Sequence, residues 1–154
     1  MRTIGIQLKR YPFEEPNLHL MFSASNGFFN GFLDYFCNAN DLKEIGIALQ
    51  SFPKKIPDDY LYEIGSKRPQ DNFAYYFALH AYTIDQSGHC ALQVVIDNRQ
   101  AKPYEGECRF SIKAEPSAIN RLGEMLLTFS NLKHLSMNWS LTGENDRLVE
   151  NRKS

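Results

Sequence analysis

The chain has 154 residues, of which 43% are hydrophobic, and a formal net charge of −1. That length suits one domain, and a domain of this size buries roughly 68–70% of the surface its unfolded chain exposes, so a core needs neither disulfides nor metal. The near-neutral charge excludes the basic footprint of a nucleic-acid binder and argues against a strongly acidic nucleic-acid mimic.

No apolar run approaches the roughly 20 residues of a membrane span, and the N-terminus lacks the apolar stretch of a signal peptide. The three cysteines, Cys37, Cys90 and Cys108, are odd in number and form no C-x-x-C. They read as reduced, buried small hydrophobes, and the chain as a soluble protein of the cytoplasm.

Ile4, Ile6 and Leu8 alternate with Gly5, Gln7 and Lys9 and predict a first strand. Tyr11 to Pro16 breaks it. Leu18, Leu20 and Phe22 predict a second strand, Ser25-Asn26-Gly27 a hairpin turn, and Phe28 to Phe36 a third strand bulged or bent near Gly31. A first helix starts at Asn40 or Asp41, with Asp41 and Glu44 placed as a capping box. Its apolar stripe is Leu42, Ile45, Leu49 and Phe52, and Pro53 ends it.

Tyr60 to Ile64 predicts a short strand. Phe73 to Ile84, rich in aromatic and β-branched residues, predicts a central strand covered on both faces. His89 to Asp97 and Glu107 to Lys113 follow, with Cys90, Leu92, Val94, Ile96, Cys108, Phe110 and Ile112 inward. Pro116 opens a second helix with Ile119, Leu122, Met125, Leu126 and Phe129 buried, and Gly123 beside that stripe allows close approach to the sheet. Leu135 to Trp139 predicts a last strand. No internal repeat is evident. The fold class is α+β: a mainly antiparallel β-sheet with two helices packed against it, as one domain over residues 1–140, with a polar tail over 141–154 expected to fray.

Chemistry-bearing patterns are sparse. His19, His80, His89 and His134 are scattered, with no metal-ligand spacing, so neither metal nor cofactor is expected. There is no G-x-S-x-G, H-E-x-x-H or phosphate-cradling loop, and nothing local favours a Cys37–His80 dyad. Asp34 lies among Phe32, Leu33, Tyr35 and Phe36 and reads either as a recognition group or general base, or as a carboxylate on a wet strand face. Tyr60 and Tyr62, beside Asp58, Asp59 and Glu63, have the make-up of aromatic anchors with a charged rim, which suits protein interfaces.

The stretch Gly27 to Phe36, followed by Asp41-Leu42 and a helix ending in Phe52-Pro53, resembles small bacterial immunity proteins of polymorphic-toxin and contact-dependent inhibition systems. The paired strands followed by a helix with Leu126 and Phe129 are similar as well. The resemblance extends over residues 1 to about 140 and rests on structural motifs. It implies a non-enzymatic cytoplasmic protein whose partner is a toxin domain. The contacts taken with that reading are Asp34, Asp58, Asp59, Tyr60, Tyr62 and Glu63. Two alternatives stand beside it: a ligand-binding or enzymatic domain with a pocket between sheet and helices lined by Tyr76, His80 and Tyr82, and a structural homo-oligomer, such as a homodimer, joined through sheet edges.

Overall fold

The computed structural model describes residues 3–12, 17–71 and 73–150. Part of the expected break before the second strand, Phe13 to Pro16, lies outside them, as do Asn72 and residues 151–154.

Among the described residues, nine strands form two antiparallel sheets. The first has the order β3-β2-β1-β8-β9, with β1 Gly5–Arg10, β2 Leu18–Ser25, β3 Asn30–Cys37, β8 His134–Ser140 and β9 Arg147–Glu150. The second has the order β4-β5-β6-β7, with β4 Asp59–Ile64, β5 Tyr76–Thr83, β6 Cys90–Asp97 and β7 Glu107–Ala114. Helix α1 spans Ala39–Gln50 and α2 spans Pro116–Phe129. The class is therefore α+β with mainly antiparallel pairing, as the alternation predicts.

The element order contains a repeat that the residue pattern hides. Strands β1, β2 and β3, helix α1 and strand β4 are followed by β5, β6 and β7, α2 and β8, in the same sequence. Each half completes the other's sheet: β4 pairs with β5, and β8 pairs with β1. Leu42, Ile45, Gly46, Leu49 and Phe52 of the first half stand where Ile119, Leu122, Gly123, Leu126 and Phe129 stand in the second, and all ten are buried. Three of these five pairs keep the same residue (Gly46 and Gly123, Leu49 and Leu126, Phe52 and Phe129), and the other two exchange Leu and Ile.

Both helices lie against one core. Ile6, Leu8, Phe22 and Tyr35 from one sheet meet Phe77, Leu79, Leu92 and Ile112 from the other, with the helix stripes between them. Trp139, buried on β8, donates its indole N–H to the Ala118 carbonyl at 3.0 Å, which satisfies its only polar atom. Asn120 of α2 donates to the Leu49 and Phe52 carbonyls at 2.9 and 2.8 Å and so closes the C-terminus of α1.

Several local expectations give way. The N-cap of α1 is Asn38, whose side chain accepts from Asp41 N–H; Asp41 lies in the first turn instead of capping it. β3 pairs with β2 without a bulge. Gly31 is needed instead for tight packing between the sheets, because a Cβ there would stand 2.9 Å from Cys108 Sγ and 3.1 Å from Ile96. Gly123 permits close approach to α1, not to a sheet. β5 begins only at Tyr76. The segment expected to fray returns as β9 along β8, with Leu148 opposite Met137. Asp146 holds the turn: its carboxylate accepts from Arg121 Nε at 2.5 Å and from Ser140 N–H at 2.7 Å.

Candidate functional site

Period two puts alternate residues of the first sheet on its outer face, away from the helices. Pairing lines them up in rows across the strands. Phe32, Ser23, Gln7 and Asn138 form one row, Asp34, Met21, Lys9 and Ser136 the next, and Phe36 and His19 a third. The β2–β3 turn adds Phe28 and Phe29; the Asn26 carboxamide oxygen accepts both of their N–H groups at 2.9 and 2.8 Å. Phe28 is 90% exposed, Phe29 62%, Phe32 56% and Phe36 53%. These four exposed phenylalanines lie on one hairpin, Phe32 and Phe36 on its outer face and Phe28 and Phe29 at its turn, and large apolar side chains exposed together on one element mark a candidate interaction surface.

Asp34 lies within this patch, flanked on its own strand by Phe32 and Phe36. It accepts a hydrogen bond from Tyr11 Oη at 3.2 Å. Tyr11 stacks on His19 with ring centroids 4.0 Å apart, and His19 stacks on Phe36 at 4.4 Å. Desolvation, followed by the bond to Asp34 and its charge, raises the Tyr11 pKa. Next to Phe32 the face dips into an open depression of ≈ 720 Å³, with Gln7, Ser23 and Asn138 in its lining and the Glu144–Arg147 segment at its rim.

The residues expected to act with Asp34 do not form one patch. On β4, Asp59, Leu61 and Glu63 point outward, while Tyr60 and Tyr62 turn inward and pack against the core. Tyr62 Oη donates to Asp41 at 3.3 Å, and burial raises its pKa further than the nearby Cys37 and Asp41 do. Asp58 is used locally: it accepts from Lys54 N–H and from its neighbour Asp59 N–H, both at 2.9 Å.

Tyr76, His80 and Tyr82 share one face of β5, but it is the outer face; Phe77, Leu79 and Ala81 face the helices. The expected pocket between sheet and helices is thus replaced by packed core, because the parity of the strand turns all three away. Tyr76 is only 2% exposed and donates to Glu63 at 2.8 Å. His80 Nε2 lies 3.0 Å from Asp59, and Tyr82 Oη lies 3.0 Å from Ser111 Oγ. His80 and Tyr82 line an open groove with Lys55, Asp58 and Gln93. Cys37 points into the core, where burial and then the Asp41 charge push its thiol up to about 12, so it is a poor nucleophile and belongs to no dyad with His80.

Among the described residues no group of three or more His, Cys, Asp or Glu is placed to hold a metal ion, and no helix is long and apolar enough to cross a membrane. The void between the helix stripes and the sheets is ≈ 20 Å³ and apolar, far below the few hundred Å³ of a small-molecule site. The sequence reading missed the Phe28–Phe29–Phe32–Phe36 cluster as a site. The available signal was four phenylalanines on one hairpin, of which Phe32 and Phe36 share parity with Asp34. No protein-family profile, curated protein or solved structure matches the chain.

Proposed function

We propose that this protein is a non-enzymatic binding domain that blocks a partner protein through the outer face of its first sheet, as a bacterial immunity protein acting on a toxin in the cytoplasm. The observation that carries the reading is the exposed phenylalanine cluster around Asp34. Aromatic anchors surrounding a carboxylate suit an arginine of the partner. Its guanidinium stacks on aromatic faces while its fork of donors engages the carboxylate. The packed core supports the binding reading, because the void between the helix stripes and the sheets is apolar and only ≈ 20 Å³.

The test is coexpression with the product of the adjacent upstream gene. Relief of growth arrest and co-purification are expected, and both should be lost in the Phe32→Ser/Phe36→Ser variant. A neighbouring product that is neither toxic nor bound would overturn the reading.

A further inference from the structure

We propose a second interaction surface: the free edge of β4 accepts a strand from a partner protein whose outward side chains are basic. The internal repeat points to it. β4 and β8 hold equivalent places in the two sheets. The outer edge of β8 is covered by β9, whereas no strand among the described residues pairs with the outer edge of β4.

Burial follows the same asymmetry. Met137 and Trp139 of β8 are fully buried, but the inward-facing Tyr60, Tyr62 and Ile64 of β4 are only half-buried, and Leu61 is exposed. Among the described residues, no strand takes in the second sheet the position that β9 fills in the first. The facing edges of β3 and β7 are already engaged: Phe36 N–H donates to Tyr75 Oη at 3.0 Å, and Asn26 Nδ2 donates to the Ser111 carbonyl at 3.1 Å.

Natural sheets guard a bare edge with proline, a bulge or outward charges. β4 contains no proline and pairs with β5 without a bulge. Its two carboxylates, Asp59 and Glu63, lean across the sheet to His80 and Tyr76. Asp58 already accepts the Asp59 N–H at 2.9 Å, so the open backbone edge begins at Leu61, and the two carboxylates give its outer face a negative charge. Antiparallel pairing of β4 with a second copy, centred on Leu61, would set Asp59 opposite Glu63 twice, and like charges directly opposite are destabilising. A strand carrying Lys or Arg at those positions and apolar residues between them fits both faces, the arrangement of strand addition to a sheet edge.

Short synthetic peptides alternating Lys with Val, or Glu with Val, provide the probe, with binding followed by fluorescence anisotropy and sites by amide hydrogen exchange. The Lys peptide should bind about tenfold tighter, as two attractive cross-strand charge pairs in place of two repulsive ones imply, and should slow exchange in β4. The Asp59→Lys/Glu63→Lys variant should reverse the preference. Slowed exchange elsewhere, an unchanged preference in that variant, or self-association cross-linked through β4 would each overturn the proposal. Neutralisation through Phe32 and Phe36 is read separately from peptide capture at β4, so either result can fail alone.

Discussion

Gly46 of α1 and Gly123 of α2 meet at the point where the helices cross, each leaving the space the other's backbone needs. A Cβ on Gly46 would lie 2.9 Å from the Gly123 carbonyl oxygen and 2.8 Å from Leu127; one on Gly123 would lie 2.8 Å from the Gly46 carbonyl oxygen and run into the Gln50 backbone. Alanine raises helix propensity by about 1 kcal/mol over glycine. Here the overlap is with backbone, which cannot turn aside, so the helices must separate. Gly123→Ala should destabilise by a net amount of roughly 1–3 kcal/mol, measured as a lower urea midpoint with the slope unchanged.

Arg10 is the buried charge that closes the link from α2 to β8. It donates through Nε to the His134 carbonyl at 3.3 Å and through Nη2 to the Leu132 carbonyl at 3.1 Å, beside the positive φ of Leu132. Arg10→Met keeps the length of the side chain and removes both donors. The loss should be roughly 2–3 kcal/mol, because hydrogen bonds from charged groups are the stronger kind and the carbonyls are left unpaired. A thermal melt with a clearly lower midpoint would bear this out; an unchanged one would not.

Asp146 separates an ordered hairpin from a loose tail. Asp146→Ala removes the partner of Arg121 and the acceptor for Ser140 N–H. A cost of roughly 1.5–3 kcal/mol follows, together with faster amide exchange in β9. A frayed tail would show neither effect.

The Cys37 thiol makes stability depend on alkaline pH. Its pKa is raised from 9.0 to about 12 by burial first and the Asp41 charge second, against a smaller opposing hydrogen bond with Tyr35. Above its ordinary pKa the unfolded chain ionises while the folded one does not. The stabilising contribution is therefore full below pH 9 and is lost as pH rises toward 12. Tyr35 and Tyr76, raised chiefly by burial, act in the same direction. Unfolding midpoints from pH 8 to 11 should fall, and fall less for Cys37→Ala. Iodoacetamide at pH 8 should label Cys37 only as fast as the chain opens.

The phenylalanine cluster should separate binding from stability. Phe28→Ser/Phe29→Ser removes two exposed side chains of a turn, so folding should change by no more than about 0.5 kcal/mol per site. Partner affinity should fall by an order of magnitude or more, since aromatic anchors dominate interface energetics. Equal losses of affinity and stability would show that these residues serve the fold.

Much was decided by the order of residues along the chain. Alternation in β2, β6 and β7, the stripe Leu42–Ile45–Leu49–Phe52 and Pro116 at a helix start are local signals, because strand parity and helical spacing need only neighbouring residues. Other features depend on distant partners. Gly123 could not reveal that it faces Gly46, nor Gly31 that it faces Cys108. The polar run at Asp146 gives no sign of Arg121, which holds it in a hairpin. The exchange of β4 and β8 between the halves is likewise invisible along the chain, since each strand pairs across the molecule. Strand parity already sets Tyr60 and Tyr62 opposite Asp59 and Glu63 and puts Phe32, Asp34 and Phe36 on one face; only the folded sheets decided which face meets the core and brought Tyr11 and His19 up against Asp34 and Phe36.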